Sequence, residues 1–227
     1  MKKSVNLKAS GVVRLIVFLF FLFQTDVGFS QVRVLDSLLV QYNSYTSQKN
    51  DSMAIALINK IAFEYRNTNA DSCLWFAKKA YQYSDSIGII AEQTRALRNI
   101  SLAYIKKDLP DTAIYLLKKG LQYAYLCDCS EIEADIYNSL GTAWYFKSEF
   151  DSAILYFEKS NDKFIAEGNL ESSAGTMINL GVIYENTGKF SKALENYHNA
   201  LHVYEANDFN AGGKALAYYN AAKLYSQ

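Results

Sequence analysis

The two histidines of this chain, His198 and His202, stand four residues apart with Glu195 and Glu205 close by. On a helix that spacing brings both imidazoles to one face, where they could share a metal ion. A protein metal site takes three or four ligands and the spacing fixes no third one, so the preferred reading leaves both rings on an exposed face beside Tyr197, Ala200 and Leu201. Cys127 and Cys129 flank Asp128 and invite thiol–disulfide chemistry, although so short a loop strains a disulfide. Ser and Asp are plentiful, but two histidines confined to one helical face give no sign of a catalytic triad. A Gly-rich phosphate loop, a zinc-protease motif and a nucleophile elbow are all absent from the sequence. These residue types point to binding, with no enzyme activity, metal or cofactor expected.

The elements that must position them come from a repeat. Asp71, Asp111 and Asp151 recur every 40 residues, each followed by Ser or Thr and then a small residue: Cys73, Ala113, Ala153 and, one period on, Ala193. Self-similarity at this period marks stacked units that bury their apolar faces against one another. Within a unit, apolar residues return at three- and four-residue spacing. Ile132, Ile136, Leu140, Ala143 and Trp144 form one stripe, Ser148 to Asp151 a break, and Ala153, Ile154, Phe157 and Phe164 a second helix. Gly88, Asp128, Gly168 and Asp208 are read as left-handed caps that end the second helices. Asp71, Asp111 and Asp151, with Ser191 in the fourth unit, are read as helix-start caps. Val34 to Tyr45 reads as an additional helix covering the N-terminal end. In this register Cys73 takes the place of a packing Ala, and Cys129 an apolar place just beyond a helix end.

The expected organisation is an export signal over 1–30, a helix and connection over 31–50, and an array over 51–227. The units run about 51–89, 90–129, 130–169 and 170–209, with a half repeat over 210–227. The leader carries Lys2, Lys3, Lys8 and Arg14, then the apolar run from Leu15 to Phe23, then Gly28 and Ser30 before Gln31. That run falls short of the ~20 residues of a membrane span. No Cys follows the proposed cut, which argues against a lipid-anchored form. Beyond residue 30 the chain holds 19 basic and 22 acidic residues, a net of −3, so no nucleic acid is expected as a partner. Half the residues are apolar, 15% are aromatic, and there is a single Pro, a composition for a continuous core rather than for disorder.

Leu140-Gly141 with Trp144, and Leu180-Gly181 with Tyr184, resemble the first-helix motif of tetratricopeptide repeats. Ala153 with Phe157, and Ala193 with Tyr197 and Ala200, resemble its second-helix motif. The unit is longer than the usual one by 6 residues, and its lone Pro110 lies in the turn inside a unit rather than at the end. HEAT and armadillo repeats have the matching length but lack these pairings. The resemblance implies an all-α, right-handed α-α superhelix of stacked antiparallel helix pairs, whose first helices line a concave, protein- or peptide-binding face.

Carried over position by position, the resemblance puts Arg95, Arg98, Asn99 and Lys106, then Asn138 and Tyr145, then Asn179, Glu185 and Asn186 on that face, with Asn220 at the equivalent place further on. Asn99, Asn179 and Asn220 are similar to an asparagine ladder that holds a peptide backbone, since an amide both donates and accepts. The alternative is that these residues tie neighbouring first helices together. Arg95, Arg98 and Lys106 suggest a ligand with a negative end. A signal followed by long tetratricopeptide units also resembles the extracytoplasmic sensor regions of bacterial membrane-bound histidine kinases and related regulators. That implies the sensing or docking part of an exported, periplasmic signalling protein; the alternative is a stand-alone periplasmic scaffold for envelope or secretion complexes. Ala211 to Gln227 is apolar with only Lys214 and Lys223 charged, so a homo-oligomer, a partner or further C-terminal sequence is expected to cover it. Five triads from Asp36, Asp51, Asp85, Asp111 and Asp151 are similar to a bacterial O-glycosylation motif, an expectation that intact mass tests.

Overall fold

Apolar stripes at helical spacing, broken every 20 residues, give a chain of helices with short turns. The computed structural model describes residues 33–207, 209 and 211–226, and the stretch over 1–30 read as an export signal and the cap expected at Asp208 lie outside them. The described residues form ten helices and no strand. The first, α1, covers 33–47. It is followed by α2 (Asp51–Tyr65), α3 (Ala70–Ile87), α4 (Ile90–Lys106), α5 (Pro110–Leu126) and α6 (Ser130–Phe146). Then come α7 (Phe150–Ala166), α8 (Leu170–Asn186), α9 (Phe190–Asn207) and α10 (Ala211–Tyr225). From α2 onward each helix packs on the next. The first helices of neighbouring units also touch, α2 with α4, α4 with α6 and α8 with α10. None of the described helices is long and apolar enough to cross a membrane.

The turns from α3 to α9 are built alike. Gly88, Asp128 and Gly168 have left-handed φ of 75°, 51° and 71°, as their spacing suggested. Asp108, Ser148 and Gly188 do the same at the ends of the first helices, with φ of 60°, 61° and 72°. This second series shares no single residue type, so it escapes a sequence reading. After each of these residues the next N–H reaches back to a carbonyl five residues earlier. Leu109 to Tyr104 (2.9 Å) and Asn169 to Phe164 (2.8 Å) are examples, and they close orphan carbonyls in the Schellman manner.

The helix starts differ from expectation. Asp71, Asp111 and Asp151 are the second residues of α3, α5 and α7, not their caps. Asn69 caps α3, its side chain accepting from the Ser72 N–H at 2.9 Å, while Leu109 and Glu149 make no side-chain cap. Asp71 and Asp111 instead accept from Lys107 and Lys147 Nζ, 36 residues on (2.5 and 2.6 Å), and Thr187 holds that place in the next unit. One turn into a helix, a short carboxylate extends outward and meets the lysine that ends the following first helix. Pro110 opens α5 rather than sitting in the turn; at the first helical position its missing N–H costs no hydrogen bond.

Cys73, Ala113, Ala153 and Ala193 are fully buried where the helices of a pair approach closely. Gly141 receives the Phe157 ring at 2.7 Å from where a Cβ would stand, and Gly181 receives the Tyr197 ring more tightly still. The Leu-Gly of the first helix and the aromatic residue of the second are therefore one packing device.

Candidate functional site

A groove of about 660 Å3 opens along the first helices. From α2 it takes Asn59, Lys60 and Phe63, from α4 Glu92, Arg95, Arg98 and Asn99, and from α6 Glu131 and Asp135. Phe164, Asn169 and Ser172 line it where α7 gives way to α8. The 40-residue period sets neighbouring first helices in register, which is why side chains from α2, α4 and α6 meet in one recess with those at the α7–α8 junction.

Arg98 is committed within its wall. Its guanidinium lies 3.2 Å from Asp135 Oδ1, donates to Ser139 Oγ at 3.2 Å, and stands 4.9 Å from the centre of the Phe63 ring. Arg66 lies over the same ring at 3.6 Å, and burial first, with the Arg98 charge opposing the nearby carboxylates, pulls its pKa below the usual value. Arg95 pairs with Glu92 (2.7 Å) but remains 41% exposed, free to reach a ligand. Lys106 is exposed at the last position of α4 and does not line the groove.

The asparagines divide. Asn99 is buried, and its amide donates to the Asn59 carbonyl at 2.9 Å; Asn59 donates in turn to the carbonyl of Glu92 (2.9 Å) and to its carboxylate (2.8 Å). This chain ties α2 to α4, so the amide of Asn99 is spent on its own protein. Asn220 is also buried. Further along, Asn179 donates to Asn138 Oδ1 (3.2 Å) and Asn186 to Tyr145 Oη (2.7 Å). A shallower recess of about 200 Å3 joins Tyr145 and Asn179 with Thr142 and Val182. Glu185 accepts from Tyr197 Oη (2.9 Å) and Lys223 Nζ (2.6 Å), linking α8 to both α9 and α10.

The expected residues thus gather in two groups, Arg95, Arg98 and Asn99 in the large groove and Asn138, Tyr145, Asn179 and Asn186 beyond it. Lys106, Glu185 and Asn220 stand apart from both. Asn59, Lys60, Phe63 and Glu92 were missed by the sequence reading. Asn59 carried a signal, lying one period before Asn99.

Elsewhere, His198 Nε2 lies 3.0 Å from Tyr225 Oη, and both histidines face a recess of about 370 Å3 between α9 and α10. Among the described residues no three His, Cys, Asp or Glu side chains converge on a metal position. Cys127 and Cys129 are joined as a disulfide across Asp128, and Cys73 is free and buried. The register had favoured packing for Cys129, and its side chain does rest half-buried against the core between α5 and α6; the two roles coexist.

Residues 133–227 match the family model described as SNAP, soluble NSF attachment protein. No curated protein matches the chain. Among solved structures, a Rap protein complexed with Competence and Sporulation Factor is similar at a TM-score of 0.62 and 18% identity, over 74% of this chain and 54% of that one. BtubC from P. vanneervenii is similar at a TM-score of 0.66 and 15% identity, over 87% and 81%. A Signal Transduction ATPase with Numerous Domains, carrying a tetratricopeptide repeat sensor, from Pyrococcus horikoshii, matches at 0.52 and 16%, over 85% of this chain and 36% of that one. The fold is a tetratricopeptide-type helical solenoid. The chain spans about half the length of the Rap protein it matches.

Proposed function

We propose that this chain is a non-enzymatic, protein- or peptide-binding module of an exported protein, serving as the sensing or docking part of a signalling protein. The observation that carries the reading is the groove. It is lined from α1, α2, α4, α6, α7 and α8, and it carries both signs of charge, Lys60, Arg95 and Arg98 on α2 and α4 and Glu92, Glu131 and Asp135 on α4 and α6. Phe63 supplies apolar contact between them. Such a surface suits an extended segment that presents side chains to fixed positions. The Rap structure was solved with Competence and Sporulation Factor, and the Pyrococcus ATPase carries its repeats as a sensor; both support a ligand-sensing use of this fold. Export rests on the basic leader and apolar run, and the Cys127–Cys129 disulfide supports it, since such bonds persist in oxidising compartments. The ligand's negative end is assigned to Lys60 and Arg95, because both stay accessible, whereas the Arg98 side chain is only 14% exposed against Asp135.

A second reading, a stand-alone periplasmic scaffold, is favoured by one feature. The α10 side chains Leu216, Tyr218, Tyr219 and Tyr225 are exposed and offer a further contact face.

Selection of extended peptides from a displayed library on the full chain tests the main reading. Binders are expected to lose about tenfold in affinity for Lys60→Ala or Arg95→Ala. Peptides that bind both variants as well as the parent would place the site elsewhere. Cell fractionation with intact mass checks export, with cleavage expected before Gln31.

A further inference from the structure

The second helices carry a pattern that the groove does not use. Positions 75, 115 and 155 hold Trp, Tyr and Leu, and these are 58%, 70% and 49% exposed. Four residues on, at 79, 119 and 159, all three units place Lys, and Lys78 and Lys118 precede two of them. On a helix, residues four apart share a face. Cys73, Ala77 and Ala80 on α3, and Ala113 and Leu117 on α5, are buried on the other side. The stripe therefore points outward, away from the groove lined by the first helices.

Lys79 Nζ lies 5.3 Å from the Trp75 ring centre, and Lys119 Nζ lies 5.5 Å from that of Tyr123. Among the described residues none of the five lysines forms an ion pair with a carboxylate. In α7 Glu158 precedes Lys159, and Asp151 and Asp162 are exposed on the same helix. The fourth unit has Glu195, His198 and Asn199, so the cationic stripe is confined to α3 and α5. Lys78, Lys79, Lys118 and Lys119 stand out in a chain whose net charge beyond residue 30 is −3. Asp71 and Asp111 on the same helices are already held by Lys107 and Lys147, and Lys119 donates to the Tyr81 hydroxyl rather than to a carboxylate.

We propose that the outer faces of α3 and α5 dock on an anionic lipid membrane. An outward-facing ridge cannot enclose a peptide, but it can rest on a broad, yielding surface. Trp and Tyr, each with an apolar body and a polar edge, settle at the level of lipid headgroups. Lysines on long flexible stems supply diffuse attraction to anionic headgroups without the fixed fork that Arg offers a single partner.

Trp75 reports on this directly. The chain has two tryptophans, and Trp144 Nε1 is buried without a hydrogen-bond partner, so Trp144→Phe leaves Trp75 as sole fluorophore and breaks no hydrogen bond of the indole. In the full-length Trp144→Phe protein, vesicles of phosphatidylglycerol with phosphatidylcholine are expected to shift Trp75 emission to the blue, and phosphatidylcholine alone is not. Salt should weaken the effect. Adding Lys78→Gln, Lys79→Gln, Lys118→Gln and Lys119→Gln, with circular dichroism unchanged, should lower partitioning about a hundredfold. No shift with anionic vesicles overturns the proposal, as does an equal shift in the lysine variant. Sedimentation with vesicles while Trp75 stays unshifted assigns binding to the N-terminal apolar run and also overturns it. A shift with soluble polyglutamate but not with vesicles makes the partner an acidic protein, with the same consequence.

Discussion

Tyr197 closes over Gly181, and there is no room between them for one methyl group. Gly181→Ala is therefore expected to cost about 1–3 kcal/mol by overpacking, read as a lower urea midpoint with unchanged slope. Cys73 makes a different prediction. Burial pushes its thiol up from 9.0 to about 11, with Arg66 opposing. Between those values the unfolded chain releases the proton while the folded one keeps it. The stability is present below pH 9 and is lost as pH rises toward 11. Burial raises the Tyr137 and Tyr197 hydroxyls too, with the same sign at higher pH. Cys73→Ala puts at this position the residue that Ala113, Ala153 and Ala193 already show to fit. It should leave neutral-pH stability within about 1 kcal/mol and flatten the alkaline loss, as melting temperatures across pH would reveal.

At the scale of the element, the ends of α3 to α8 each rest on one left-handed residue. No heavy atom lies within 4 Å of a Cβ built on Gly168, so Gly168→Ala tests backbone strain alone and should cost about 1–2 kcal/mol in urea unfolding. Asp128 occupies the same place with φ of 51°, so Asp128→Gly should gain up to about 1 kcal/mol, and a loss would mean that the carboxylate does more than tolerate the turn. The exposed Asp111–Lys147 pair predicts little. Lys147→Ala should change stability by less than about 1 kcal/mol, an effect that fades with salt.

At the scale of the molecule, each helix pair is held mainly by its neighbours, as in other quasi-one-dimensional arrays. Hydrogen exchange should then be slowest in α4 to α7, which are covered on both sides, and fastest in α1 and α10. Equal protection at α10 would indicate that its exposed tyrosines are covered in solution. The buried Asn59–Asn99–Glu92 chain and the Arg98–Asp135 pair stitch α2, α4 and α6 together. They make the wall of the groove part of the scaffold, so Arg98→Ala should lower stability along with any binding.

Much of this was legible in the sequence. The period, the helix pairs, the Gly88 series of caps and the packing place of Cys73 all follow from local spacing. Burial and backbone sterics act on short stretches, and here they repeat. What only the tertiary structure decided is which polar groups are already spoken for. Asp71 and Asp111 looked like caps until Lys107 and Lys147 arrived from 36 residues away. Asn99 looked like a ligand contact until Asn59 took its amide, and Arg98 looked like a free cation until Asp135 did the same. The physical reason is that a hydrogen bond or ion pair forms with whatever the fold brings near. Spacing along one helix tells which face a side chain occupies, but not who waits across from it.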